Sequence, residues 1–189
     1  MVDATYEQLK ALPENSLGQI VEGSLVVMPR PAFGHGHVCS MLGGELHQPF
    51  SRGRGGPGGW LFINEPELHF PRNVLVPDLA GWRRERMPTL PTSDTPWLTL
   101  APDWICEVLS PSTAAIDRVQ KRRVYAREKV AFYWIIDPLE RVLTAWALDG
   151  SEFRELVTWG GDEDRLVRVA PFEALELDLT VLWAPAPRR

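Results

Sequence analysis

Glu107 stands in the middle of the apolar run Trp104-Ile105-Cys106-Glu107-Val108-Leu109, bounded by Pro102 before it and Ser110-Pro111 after it. Such a run reads as a short buried strand. An ionised carboxylate there is costly unless it is paired or holds a cation. A second acid has a matching setting, since Asp78 interrupts the run Val74-Leu75-Val76-Pro77-Asp78-Leu79-Ala80. Two acids on neighbouring buried strands make a seat for a divalent cation. Strand alternation sends Trp104, Cys106 and Val108 to one face, and Ile105, Glu107 and Leu109 to the other. On the helix predicted to follow, Asp117, Lys121 and Tyr125 recur at i, i+4 and i+8 and share one side. That helix starts a few residues after the strand, so Lys121 is expected to reach the space above Glu107 and Asp78.

The chemistry these residue types suit is phosphodiester hydrolysis. Carboxylates hold a hard cation that polarises a phosphoryl oxygen and lowers the pKa of water, while an ammonium orients that water or steadies developing charge. Three other readings stay open on spacing alone. Asp78 could merely shape a turn after Pro77, Glu107 and Lys121 could form a structural ion pair, and Asp117–Lys121 could be a helix salt bridge worth a few tenths of a kcal/mol. His35-Gly36-His37 is a conceivable metal pair, but with no Cys or acid partner at ligand spacing it reads as a helix start or surface group. Glu65 and Glu67 either extend the acidic site or are exposed carboxylates at a strand edge.

The elements that must position these groups follow from periodicity and turn chemistry. Thr5 to Leu12 reads as a short helix capped by Asp3 or Thr5, and Gly18 to Val21 with Ser24 to Met28 as a hairpin about Glu22-Gly23. Gly34 to Phe50 has helical spacing at Val38, Met41, Leu42 and Leu46. The glycine-rich stretch Arg52 to Gly59 lacks a Lys-Ser/Thr ending and leads into a strand, so it is a turn and not a phosphate cradle. Strands are expected over 60–70, 74–82 and 104–109, a helix to about Glu128, and strands over 131–137 and 141–148 around Asp137-Pro138. Residues 83–102 read as a mobile flap or partner loop. Runs 153–159 and 166–169 read as a further strand pair, 172–183 as an apolar closing segment, and 184–189 as a frayed tail.

At 189 residues, 44% hydrophobic and 24% charged, the chain has the size and composition of one globular domain. The segments within it are an N-terminal helix and hairpin over 1–33, a core over 34–148 and C-terminal strands over 149–189. No apolar stretch is long enough to span a bilayer, and no secretory signal opens the chain, so a cytoplasmic, non-membrane protein is expected. Cys39 and Cys106 read as reduced core residues. A net charge of -5 argues against non-specific coating of nucleic acid, while the cluster Lys121-Arg122-Arg123 with Arg127 leaves room for a local basic face. The eight tryptophans are core and interface fillers.

Val76-Pro77-Asp78, Pro102 through Thr113, Asp117, Lys121, Tyr125 and Tyr133-Trp134-Ile135-Ile136-Asp137-Pro138 resemble the Uma-type putative restriction endonuclease family, a branch of the PD-(D/E)XK nucleases. The likeness spans nearly the whole chain. It implies an α/β restriction-endonuclease-like core in which a helix, a three-stranded meander, a second helix and a fourth strand follow in order around a mixed sheet. An N-terminal hairpin and extra C-terminal strands flank that core. It further implies a Mg²⁺- or Mn²⁺-dependent hydrolase of DNA acting as a homodimer, with Asp78 and Glu107 as metal ligands. Lys121 replaces the lysine usually found two positions after the second acid, where this chain has Leu109. Asp117, Tyr125, His35 and Glu67 are expected to support the site. Gln19 stands where relatives commonly carry Glu. The rival expectation is a module that keeps the fold, binds nucleic acid or dimerises, and does not cut; action on RNA or a nucleotide is a third.

Overall fold

A computed structural model describes residues 2–14, 16–91, 96–160 and 165–183. The chain opens with α1 (Tyr6–Lys10), held by a capping box between Thr5 and Gln8. β1 (Leu17–Val21) and β2 (Ser24–Met28) form a hairpin. Its turn residues Glu22 and Gly23 have φ of 51° and 81°, the left-handed pair that a tight hairpin turn demands. α2 (Phe33–Leu46) runs into a π turn at His47–Ser51. Strands β3 (Trp60–Asn64), β4 (Glu67–Phe70), β5 (Asn73–Leu75), β6 (Leu79–Arg83), β7 (Trp97–Leu98) and β8 (Trp104–Val108) follow. A π turn at Ile116–Lys121 leads into α3 (Arg122–Arg127). β9 (Phe132–Asp137), β10 (Val142–Asp149), β11 (Glu152–Gly160), β12 (Leu166–Val167), β13 (Leu177–Asp178) and a 3₁₀ turn at Leu179–Leu182 complete the described chain.

Six strands form a mixed sheet in the order β11-β10-β9-β8-β6-β3. β3, β6 and β8 pair antiparallel as the meander, and β9 lies parallel to β8 after the intervening helix. This is the expected order of helix, meander, helix and strand. A second sheet, β2-β1-β5-β4-β7, contains the N-terminal hairpin.

The two long strands expected over 60–70 and 74–82 are each broken in the middle, and the breaks adjoin. One falls at Glu65-Pro66 and the other at Val76-Pro77-Asp78, with the Glu65 N–H donating to the Asp78 carbonyl at 3.1 Å. Proline has no N–H to give a ladder, so each strand stops pairing there. The ribbon therefore crosses from the six-stranded sheet, where β3 pairs with β6, to the five-stranded sheet, where β4 pairs with β5. Asp78 sits at this crossing. Gln19 secures it: its side-chain amide donates to the Val76 carbonyl at 3.4 Å and accepts from the Val76 N–H at 3.1 Å.

Each face of the six-stranded sheet carries its own core. Val38, Leu42 and Leu46 of α2 pack with Trp60, Phe62, Trp104, Cys106, Val108 and Trp134, closed over by Phe172 and Leu182. The opposite face joins Ala80, Trp82, Ile105, Leu109 and Tyr133 to Val124 and Tyr125 of α3 and to Leu68 and Leu75 of the other sheet. The alternation expected along β8 is the one observed.

Two expectations are corrected. Residues 153–159 and 166–169 do not pair with one another: β11 extends β10, and β12 pairs with β13 from the closing segment. The 83–102 stretch is tied down where it is described, by buried Met87, by β7 alongside β4, and by Asp103, which accepts from the Arg83 N–H and pairs with Arg86 at 2.8 Å. Trp82, Trp104, Trp134 and Trp146 are buried, as expected of core fillers. The tail over 184–189 lies outside the described residues.

Candidate active site

A cleft of about 370 Å³ opens where the two sheets meet. Asp78 and Glu107 both line it, together with Glu65, Asp117, Lys121 and His35. β8 sends Glu107 toward α3 because its neighbours Ile105 and Leu109 pack on that face. The helix answers with three groups. Lys121 Nζ lies 3.1 Å from Glu107 Oε1, the Tyr125 hydroxyl donates to the same oxygen at 2.6 Å, and Asp117 Oδ1 lies 2.9 Å from the Lys121 ammonium. Glu107, Asp117 and Lys121 are 2%, 2% and 3% exposed. The i, i+4, i+8 reading thus brings together the residues it named, although the first turn is π-helical, with its wider hydrogen-bond step. Tyr133 steadies that turn by donating to the Asp117 carbonyl at 3.0 Å.

Asp78 belongs to the rim. Its Oδ2 accepts from the Val108 N–H at 2.6 Å, which ties the crossing to the end of β8, and its Oδ1 lies 3.1 Å from His35 Nε2. The other ring nitrogen of His35 is 3.7 Å from Cys39 Sγ. His35, Cys39 and Asp78 place one ligand atom each within 4.8 Å of one another, a group that does not include Glu107. His35 therefore does have a Cys and an acid partner, contrary to the sequence reading. One is a helical turn away at i+4 and was legible; the other needed the fold. Glu67 is not at the cleft: it accepts from the Tyr6 hydroxyl at 2.7 Å and meets His69 Nε2 at 2.7 Å, on the second sheet. Glu65, at the strand break, does line the cleft.

Sequence reasoning also missed the second wall. Leu17, Gly18 and Gln19 of the hairpin and the segment Met28-Pro29-Arg30-Pro31-Ala32 face Ser110-Pro111-Ser112-Thr113 across the opening. Gln19 fills the position of the missing acid by clamping Val76 in both directions, which a carboxylate cannot do because it has no N–H to donate. Leu109, in place of the customary lysine, is buried in the core shared with α3. The cations Arg122, Arg123, Arg127 and Lys129 line a separate depression with Ser151, Glu152 and Phe153 that shares no residue with the cleft.

Burial is the largest influence on Glu107 and carries its carboxyl up to about 8, with Asp117 and Asp78 pushing the same way against Lys121 and Tyr125. Burial opposes the charge on Lys121, but Glu107, Asp117 and Asp78 outweigh it and hold the ammonium above its ordinary range. Burial likewise opposes a charged His35, and the hydrogen bond and charge of Asp78, with Glu65 and Asp117 behind them, still raise its pKa. Burial keeps the Cys39 thiol protonated well beyond its usual range.

These residues fit a hard divalent cation. Four acids line the cleft against one buried ammonium, which meets Glu107 at 3.1 Å and Asp117 at 2.9 Å, and burial together with the neighbouring acids raises the Glu107 carboxyl above its ordinary range. Oxygen donors of this kind suit Mg²⁺ or Mn²⁺.

Comparison with known proteins links the chain to a putative nuclease family. The Uma2 family, described as "Putative restriction endonuclease", matches residues 3–181. A crystal structure of a putative nuclease of the DUF820 family from Anabaena variabilis superposes with a TM-score of 0.74 at 21% identity, covering 95% of this chain and 97% of that one. That likeness establishes a shared fold. No curated protein matches the chain, and no helix among the described residues is long and apolar enough to cross a membrane.

Proposed function

The chain belongs to the Uma2 putative restriction endonuclease family, and from that premise we propose that it is a divalent-metal-dependent endonuclease that hydrolyses DNA phosphodiester bonds. The observation that carries the reading is the cleft itself, where Asp78 and Glu107, 29 positions apart in sequence, face one cavity with a buried lysine between two acids. Asp78 and Glu107 would hold Mg²⁺ or Mn²⁺, which supplies a Lewis acid for the phosphoryl oxygen and a more acidic water.

The chain's own residues do the rest. Tyr125 and Lys121 fix the Glu107 carboxyl by two contacts on one oxygen, leaving the other free of any hydrogen bond among the described residues. Val108 and His35 hold Asp78 at the rim by one contact on each carboxylate oxygen. Lys121, kept charged by its acids, offers positive charge close to the reacting phosphate, the task of the lysine that Leu109 displaces. Each group is held before substrate arrives, so little reorganisation is needed during reaction.

Leu109 favours a second reading, a module of the same fold that binds DNA or a second copy of itself without cutting. A nicking assay on plasmid with Mg²⁺ or Mn²⁺ separates the two. Cleavage by the wild type that falls about 100-fold or more in Asp78→Asn supports the enzyme, as expected for loss of a group held for the transition state. DNA binding with no cleavage under either ion supports the module.

A further inference from the structure

We propose that this cleft takes an unpaired stretch of DNA, a single strand or a locally opened segment, and does not act on the outer face of an intact duplex. The proposal rests on the nuclease reading above and narrows its substrate.

Depth is the first ground. Of the groups at the site, Glu107, Asp117 and Lys121 are almost fully buried beneath the hairpin wall on one side and Ser110-Pro111 on the other, with Asp78 above them at the rim. A cavity of about 370 Å³ is the size that swallows a small molecule, near the low end of the ~300–1,000 Å³ range for such pockets. A phosphate on an intact duplex stays on a broad convex surface, flanked by its own groove edges, and cannot descend to such a floor. One strand freed from pairing can, because its backbone torsions allow a nucleotide to be extruded toward a recessed site.

Chemistry of the walls is the second ground. Proteins that read a duplex spread many cations along the phosphates, and their affinity falls steeply with salt. Among the described residues lining this cleft, Arg30 is the one exposed arginine or lysine, and among those residues its guanidinium has a single polar contact, 3.5 Å to the Glu14 carbonyl. The α3 cations line a different depression. What the cleft offers instead is an apolar lip, Leu17, Met28, Pro29, Pro31 and Pro111, above an acidic floor. An apolar lip suits the face of an unstacked base, one arginine suits one phosphate, and the acids suit the cation at the next linkage.

The test uses the full chain and one oligonucleotide sequence in three forms: single strand, blunt duplex, and duplex with a short unpaired gap. With Mn²⁺, the single strand and the gap are expected to be cut about 10-fold faster than the blunt duplex or more, since the enzyme need not pay for unpairing. Products from the gapped form should map to the gap. Arg30→Ala, at an exposed position remote from both cores, is expected to raise KM for the single strand several-fold with kcat little changed, and the salt slope of single-strand binding should be about -0.7, the value for one phosphate contact on a single strand. A blunt duplex cut as fast as its separated strand, or an Arg30→Ala enzyme with unchanged KM, overturns the inference and leaves the nuclease standing. A wild type that cuts none of the three forms with Mn²⁺ or Mg²⁺ sinks the nuclease reading and takes this inference with it.

Discussion

The floor and the rim of the cleft hold their acids by different means. At the floor, Glu107 and Asp117 share one buried lysine and are sealed by Tyr125 and the two cores. At the rim, Asp78 is 15% exposed and leans on one backbone N–H and one histidine. The floor is thus an electrostatic unit whose members share one cation, and the rim is a carboxylate positioned by one contact on each oxygen. Stability should therefore be concentrated at one end of the site and adjustability at the other.

The most damaging test of that contrast is Lys121→Ala. It leaves two buried carboxylates with no cation, so a loss of about 3–5 kcal/mol of unfolding free energy is expected in urea titration. A loss below about 1 kcal/mol would mean that the floor is not the electrostatic unit described. Next is Gln19→Leu, which strands the Val76 N–H and carbonyl at the sheet crossing; about 1–3 kcal/mol should be lost, with Asp78 displaced and activity lowered alongside. Asp78→Asn keeps an acceptor for Val108 and should cost no more than about 1.5 kcal/mol, although it should abolish cleavage. A collapse in stability equal to that of Lys121→Ala would erase the distinction between the two ends.

The contrast also has a pH signature. Unfolded Glu107 releases its proton near 4.5, and the folded chain holds it to about 8, so across that window the unfolded state binds fewer protons. Stability of the metal-free protein should fall as pH rises from about 4.5 to about 8. His35 slopes the same way, because its gain from Asp78 is present below 6.5 and lost as pH rises. Thermal denaturation across this range should show the slope reduced in Glu107→Gln; an identical slope in the variant would remove Glu107 as its source. The smallest effect belongs to Cys39→Ser. Its half-buried thiol lies 3.7 Å from His35 and packs at the margin of the α2 core, so a change within about 1 kcal/mol is expected.

Much of this was readable from the chain because burial makes a lone charge conspicuous. Glu107 could be picked out since every neighbour on its strand is apolar, and Lys121 since helical spacing put it over that strand. The succession of helix, three strands, helix and strand was equally plain in the apolar periodicity, while the pairing of the three strands as a meander was what the family resemblance implied. The pieces that escaped are those that only long-range contacts decide. Pro66 and Pro77 announce breaks, yet nothing local says that the two breaks adjoin and carry the ribbon to a second sheet. Gln19 looked like a lost acid until Val76 appeared opposite both ends of its amide. Alternation alone would put Glu67 on the same face as Glu65, and it is the break at Glu65-Pro66 that carries Glu67 onto the second sheet with Tyr6 and His69.

A calorimetric titration with Mn²⁺ tests most directly whether floor and rim act on one cation. One ion per wild-type chain is expected, with binding lost in both Asp78→Asn and Glu107→Gln. Binding that survives both substitutions, or that persists until His35 is replaced, would contradict a shared ion and with it the joining of the two acids.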